Sequence, residues 1–173
     1  MRFTDFLSEE RIRPALRARE RVGVVYELAE LLALRGPVQQ GVLGRLLLER
    51  ERIAGTVLAG GVAIPHCRLE GLPRITACVG IQHEGCFFGE PEEGRVRIFV
   101  GLVSPMNTSG LHLNLLARIA GMLREPSLRE ELLATPTAAG ILQLLVQAEE
   151  SHVARMARRG GLVLVEGAGS GHA

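Results

Sequence analysis

Apolar residues recur at helical spacing in two segments of the first third of the chain. The first segment, Val24 to Leu32, is interrupted by glutamates and is followed by Gly36 and Pro37, which end a helix. The second runs from about Val38 to Arg52 and again carries its leucines on one side. The hydrophobic pattern therefore predicts two successive amphipathic helices.

The middle of the chain carries shorter apolar runs that are typical of buried strands. Two of them, Ile75 to Gln82 and Val96 to Val103, are bounded by turn residues. A polar connection that contains glycine, Glu84 to Gly94, separates them. Before them, the glycine-rich stretch from Ile53 to His66 predicts a loop that enters a short strand at Val62 to Ile64.

Helical spacing returns after the second strand and predicts three further helices. They run from Thr108 or Ser109 to about Arg124, from Pro126 to Ala134, and from Thr135-Pro136 to about Ala148. The N-terminal segment, Phe3 to Leu16, adds a turn and a short strand. Because helices precede and follow the strands, we expect a single α/β domain at residues 1–150, with a mixed central sheet flanked by helices on both sides.

The C-terminal tail, residues 151–173, differs in composition from this domain. Arg155, Arg158 and Arg159 precede the apolar run Leu162 to Val165, and a stretch rich in glycine, serine and alanine follows. The apolar run favours an extra edge strand, which offers a surface for pairing with a neighbouring chain. We expect the final residues to be disordered.

The composition excludes several classes of function. A net charge of +1 over 173 residues argues against nucleic-acid binding. All 20 basic residues are arginine, which excludes a lysine Schiff base and a phosphate loop with its lysine. No apolar run reaches the roughly 18 residues that a membrane-spanning helix needs, and Met1 to Arg13 is too charged for a signal peptide. We therefore expect a cytoplasmic protein without membrane insertion.

Among the five histidines, His66 has the most informative surroundings. It follows the predicted short strand and Pro65, at the end of the glycine-rich loop, and ligands commonly bind at strand ends in α/β domains. A neutral imidazole is a competent nucleophile toward phosphorus and forms a labile phosphoramidate. The alternative is a structural histidine that bonds a backbone carbonyl.

Two further residues have a chemistry that suits an anion. His112 lies in the first turn of a predicted helix, where unpaired amides and the helix dipole favour negative charge. Arg50 lies near the end of the second helix, and its guanidinium fork suits a phosphate. Each has a structural alternative: a half-buried histidine that caps its own helix, and an arginine on a solvated helix end.

A metal or thiol site is the competing chemistry. The cysteines Cys67, Cys78 and Cys86 form no CxxC pair, and the histidines show no HxxxH or HEXXH spacing. Cys67 lies beside His66, but neighbouring side chains in an extended chain point apart. We therefore expect no metal.

Three separated motifs stand out along the chain. They are LERE at Leu48 to Glu51, GVAIPH at Gly61 to His66, and LHLNLLARIA at Leu111 to Ala120. These motifs resemble, in the same order, those of the type-2 IIA domains of the bacterial phosphotransferase system, a family with fructose, mannitol and nitrogen-regulatory members. The resemblance extends from about Phe3 to Glu149.

This resemblance implies a function for each candidate residue. His66 would receive a phosphoryl group from the histidine phosphocarrier HPr or its nitrogen-branch counterpart. His112 would hydrogen-bond that group, and Arg50 would supply positive charge to it. The family's fold is a mixed sheet between helices, and its members use no ATP, metal or organic cofactor in this step.

The loop before His66 departs from the family's pattern. Gly60 replaces a common asparagine, Val57 and Ala59 replace common glycines, and Thr56 is kept, so we expect Thr56 to donate to the phosphoryl group. The chain most resembles the free-standing nitrogen-regulatory type, which acts on regulated target proteins. The alternatives are a separate fructose- or mannitol-type component that serves a IIB component, and a docking module with weak or lost phosphotransfer. The sequence does not fix the oligomeric state.

Overall fold

The computed structural model describes residues 1–166, with side chains described as far as residue 160. Within this part of the chain, five helices and six strands pack as a sheet between two helical layers. The helices are α1 (Arg21–Ala33), α2 (Gln40–Ile53), α3 (Ser109–Met122), α4 (Pro126–Ala134) and α5 (Ala138–Glu166). The strands are β1 (Ile12–Arg13), β2 (Val57–Leu58), β3 (Val62–Ala63), β4 (His66–Leu69), β5 (Thr76–Phe87) and β6 (Arg95–Pro105).

The sheet is mixed and is organised around the long hairpin of β5 and β6. Its order is β1-β5-β6-β3-β2, and β4 also pairs with β6. β5 and β6 are antiparallel, as are β2 and β3, whereas β1 is parallel to β5 and both β3 and β4 are parallel to β6. Because β3 and β4 follow each other along β6, the start of β4 lies next to the middle of the sheet, with His66 opposite Leu102.

Both faces of the hairpin are buried, which explains its continuous apolar sequence. Side chains that alternate along the strands enter two separate cores. One core joins Val79, Ile98 and Leu102 to the layer of α3, α4 and α5. The other joins Cys78 and Phe99 to α1 and α2. The expected α/β fold, with a mixed central sheet flanked by helices on both sides, is confirmed.

The predicted elements differ from the observed ones chiefly in length. β5 extends to Phe87, through part of the segment that was predicted to be a polar connection, because a bulge between Ile81 and Cys86 leaves His83 and Glu84 exposed within the strand. β2 and β4 were not predicted. Within the described residues, no helix is both long and apolar enough to cross a membrane.

The end of the chain also differs from expectation. The last helix was predicted to end near Ala148, with an edge strand at Leu162 to Val165, and both predictions were wrong because α5 continues to Glu166. Residues 149–159 are rich in alanine, arginine and glutamate, which favour helix beyond the last core contact. The predicted disorder of the final residues concerns positions 167–173, which lie outside the described residues.

The N-terminal segment is attached to α5 by a buried carboxylate. Glu149 is fully buried and accepts hydrogen bonds from the backbone N–H of Phe3 at 2.6 Å and of Thr4 at 3.0 Å. The Thr4 hydroxyl donates to the same carboxylate at 2.7 Å, and Arg118 lies 3.4 Å from it. A buried charge is stable only when it is paired and hydrogen-bonded in this way. Glu149 therefore fixes the start of the chain against its last helix.

Candidate functional site

A cavity of about 450 Å³ lies between the end of α2, the start of β4 and the first turns of α3. His66, His112 and Arg50 all line it, so the structure brings together three of the four predicted site residues. Exposed apolar side chains, those of Ile53 and Leu113, lie at its rim. The lining of the cavity thus combines the imidazoles of His66 and His112 and the guanidinium group of Arg50 with exposed apolar side chains.

The geometry of His66 leaves one ring nitrogen for chemistry. The Nδ1–H donates to the backbone carbonyl of Ile64 at 2.7 Å, which fixes the neutral tautomer that carries its lone pair on Nε2. Nε2 has no hydrogen-bond partner among the described residues. Burial lowers the pKa of the half-buried ring; the Ile64 carbonyl opposes this effect and the charge of Arg50 adds to it. The net lowering favours the neutral, nucleophilic form.

His112 lies beside His66 and is more deeply buried. Its side chain is 4% exposed, and the two ring centroids are 5.4 Å apart. Its Nδ1 lies 2.7 Å from the hydroxyl of the buried Ser104, at the end of β6. Burial, followed by the charges of His66, Arg68 and Arg50, lowers the pKa of His112 to about 4. The second imidazole is therefore neutral and held in place, and it is less accessible to a partner than His66.

Arg50 approaches the histidines from the last turn of α2. Its Nη1 donates to the carbonyl of Ala54 at 2.9 Å, so part of the guanidinium satisfies the end of its own helix. The side chain is half-buried and lines the cavity, and its charge acts on both His66 and His112. Arg50 thus supplies positive potential where the rings meet.

Thr56 is the predicted site residue that does not line the cavity. It is buried, and its hydroxyl donates to Glu51 Oε2 at 2.6 Å while its backbone N–H donates to Oε1 at 2.9 Å. These bonds attach the loop after α2 to that helix. The hydroxyl proton is already used, so the geometry gives Thr56 a supporting position rather than contact with a bound anion.

Gly61, before His66, is required by a close approach to β6. Gly61 has φ +75°, and its carbonyl accepts hydrogen bonds from the backbone N–H of Arg97 and Ile98. A Cβ at this position would lie 3.0 Å from the carbonyl oxygen of Arg95, and the backbone conformation disfavours any side chain. Gly61 therefore permits the pairing that sets β3, and with it His66, beside β6.

Arg68 was not among the predicted site residues, although it also lines the cavity. It lies two positions after His66 on β4, and side chains two apart on a strand share a face. This signal was present in the sequence, but it is usable only once the short strand is recognised. Ser104, the partner of His112, gave no signal because the contact depends on where β6 meets α3.

The alternative of a metal or thiol site gains no support. Among the residues that the structure describes, no group of three or more histidine, cysteine, aspartate or glutamate side chains could hold a metal ion. Burial raises the pKa of the Cys67 thiol to about 12, so this thiol is a poor nucleophile at neutral pH.

Comparison with known proteins places the chain in a family and agrees with its fold. Residues 5–148 match the family described as "Phosphoenolpyruvate-dependent sugar phosphotransferase system, EIIA 2". A nitrogen regulatory protein of Bradyrhizobium diazoefficiens is 32% identical over 146 residues, which are 84% of this chain and 95% of that protein.

Two solved structures are also similar to this chain. The crystal structure of nitrogen regulatory protein IIA-Ntr from Neisseria meningitidis superposes with a TM-score of 0.77 at 27% identity, and it covers 82% of this chain and 97% of that one. IIA mannitol from Escherichia coli superposes with a TM-score of 0.69 at 25% identity, covering 80% and 98%. This chain therefore belongs to the EIIA 2 family of the phosphoenolpyruvate-dependent sugar phosphotransferase system.

Proposed function

We propose that this protein is a phosphocarrier that accepts a phosphoryl group on Nε2 of His66 from an HPr-type protein, and that its phosphorylation state regulates other proteins. The proposal rests above all on the bond between His66 Nδ1 and the Ile64 carbonyl, beside a second imidazole and an arginine. A neutral ring with one nitrogen already bonded presents its lone pair at the other. That is the state in which imidazole attacks phosphorus.

The phosphoryl transfer between the two imidazole rings needs no additional base to remove a proton. The Nε2 lone pair of His66 forms the new P–N bond while the P–N bond of the donor's phosphohistidine breaks, and its electron pair stays on the donor ring. If that ring was protonated on its other nitrogen, it leaves as neutral imidazole. His66 keeps its Nδ1 proton and becomes a phosphoimidazolium, whose positive charge the Ile64 carbonyl stabilises.

The neighbouring groups position and neutralise the phosphoryl group. With its pKa near 4, His112 is neutral at physiological pH. If the Ser104 hydroxyl donates to His112 Nδ1, the ring's proton lies on Nε2, and that N–H donates to a phosphoryl oxygen. Arg50 offsets its negative charge. In-line transfer of this kind depends on positioning and electrostatics rather than on further covalent chemistry.

The relatives favour a regulatory role over sugar transport. The nitrogen regulatory protein of B. diazoefficiens is matched along nearly its whole length. A phosphoryl group adds nearly two negative charges to the contact surface, enough to change which partners dock. We therefore propose the nitrogen-branch HPr-like protein as donor and regulated target proteins as recipients of the signal, in the cytoplasm. A IIB component would be the recipient in a sugar-transport role.

Intact-mass measurement tests the proposal. The protein is incubated with phosphoenolpyruvate, enzyme I and either carrier, HPr or its nitrogen-branch counterpart, and wild type is compared with His66→Ala. We expect a gain of about 80 Da, one phosphoryl group, in wild type only. His83→Ala, which changes an exposed histidine outside the cavity, is the matched control and should still be phosphorylated. No gain with either carrier would reject phosphotransfer and favour a docking module.

A further inference from the structure

Arg68 is a second cation at the cavity, and it is carried by β4, whereas Arg50 is carried by α2. Its Nη1 donates to the Ser109 hydroxyl and lies 3.4 Å from the Met106 carbonyl oxygen, at the turn that leads into α3. Both acceptors are uncharged. Among the described residues, no carboxylate lies within ion-pair distance of this guanidinium. Arg68 is thus an exposed charge held by uncharged acceptors beside the cavity that His66 and His112 line.

The position of Arg68 also brings its charge to bear on His112. It shares a strand face with His66, two residues away, and it is bonded to the first turn of the helix that carries His112. Its charge contributes to the lowered pKa of His112, after burial and the charge of His66. His66 and Arg68 line the same cavity, so a phosphoryl group on His66 would enter the space beside this guanidinium.

We propose that Arg68 is a second phosphoryl-binding residue, which leaves Ser109 and Met106 and binds the phosphoryl oxygens when His66 is phosphorylated. This inference rests on the proposed function. A dianion with three acceptor oxygens competes strongly for a guanidinium, because charge-assisted hydrogen bonds are roughly twice as strong as neutral ones. Arg50 and Arg68 then bring two positive charges to a group that carries about two negative charges.

When Arg68 changes its hydrogen-bond partners in this way, the phosphorylation state of His66 also affects the residues at the rim of the cavity. In the unphosphorylated protein, Arg68 connects β4 to the turn Met106–Thr108 and to the start of α3. When Arg68 turns to the phosphoryl group, this turn loses its attachment, and the half-exposed Met106 side chain moves with it. A partner that contacts the rim would therefore meet two different surfaces.

The lifetime of the phosphohistidine tests this assignment. The proteins are phosphorylated with potassium phosphoramidate, which needs no carrier, so that failure of transfer from HPr-type donors does not affect the result. We expect Arg68→Gln to shorten the half-life of phospho-His66 roughly tenfold, as the loss of a charge-assisted bond implies, and Arg68→Lys to shorten it less. Arg74→Gln, an exposed arginine outside the cavity, is the control and should match wild type.

Two further measurements separate phosphoryl binding from a structural role. Ser109→Ala removes the attachment but keeps the charge, so the half-life should not fall. In wild type, phosphorylation should shift the amide resonances of Met106 and Ser109, and this shift should be lost in Arg68→Gln. An unchanged half-life in Arg68→Gln, or an equal loss in Ser109→Ala, would overturn the assignment while leaving phosphorylation of His66 intact. Failure of phosphoramidate to modify His66 would also count against it.

Discussion

Acid should destabilise this protein through His112. The pKa of this buried imidazole falls from its ordinary 6.5 to about 4 in the folded protein, because of burial first and then the neighbouring positive charges. Between these two values the unfolded chain binds a proton that the folded protein does not. The folded state is therefore favoured above the unfolded pKa, and this advantage is lost as the pH falls toward the folded pKa.

The size of the effect follows from the two pKa values. Between about pH 7 and about pH 5, the titration of His112 alone lowers the free energy of unfolding by about 2 kcal/mol. If the folded pKa were one unit higher, the loss would be about 1.5 kcal/mol, because the folded ring would then be half-protonated at the lower pH. His66, whose pKa is also lowered, adds a loss in the same direction.

Urea unfolding of wild type and His112→Gln at both pH values measures this loss of unfolding free energy. Glutamine keeps a polar side chain but does not titrate, so the variant should lose about 2 kcal/mol less than wild type over the interval. The contribution of His66 is common to both proteins and cancels in the comparison. His83→Gln, an exposed histidine, serves as the control. Equal losses in wild type and His112→Gln would refute the buried neutral imidazole.

Three further predictions concern the surroundings of the two histidines. Arg50→Gln should raise the pKa of both site histidines, measured by NMR titration, because burial lowers these pKa values most and the charge of Arg50 adds to the lowering; unchanged values would remove Arg50 from the site. Glu51→Gln should cost roughly 2 kcal/mol in urea unfolding, since it weakens two hydrogen bonds to Thr56, whereas the exposed Glu49→Gln should cost little. Cys67, whose pKa is raised to about 12, should resist alkylation in the folded protein at neutral pH and react after denaturation; rapid modification of the native thiol would contradict its burial.

The sequence predicted what depends on local pattern and missed what depends on long-range pairing. The helices and the β5–β6 hairpin follow from periodicity, because each buries a continuous apolar surface. β4 has four residues, half of them polar, and exists because it pairs with β6 more than thirty positions later. Without that strand, the shared face of His66 and Arg68 was not visible.

The residues of the candidate site also divide into those that a sequence motif indicates and those whose surroundings depend on distant contacts. His66, His112 and Arg50 were predicted largely through resemblance, since each one alone had an equally good structural explanation. Thr56 was assigned from its place in the loop, but its environment is set by Glu51, a carboxylate buried within an alternating run of charges. Alternating charges are typical of a solvated helix end, so neither the burial of Glu51 nor its partner was visible in the sequence.

The carboxylate of Glu149 has a consequence for how this domain can be joined to others. By holding Phe3 and Thr4 against α5, it brings the beginning of the chain next to the residue where the family match ends. Among the described side chains, neither the N-terminal segment nor α5 contributes a lining residue to the cavity around His66. A further domain can therefore be attached at either end without crossing the face that carries this cavity, and α5 itself already continues beyond Glu149.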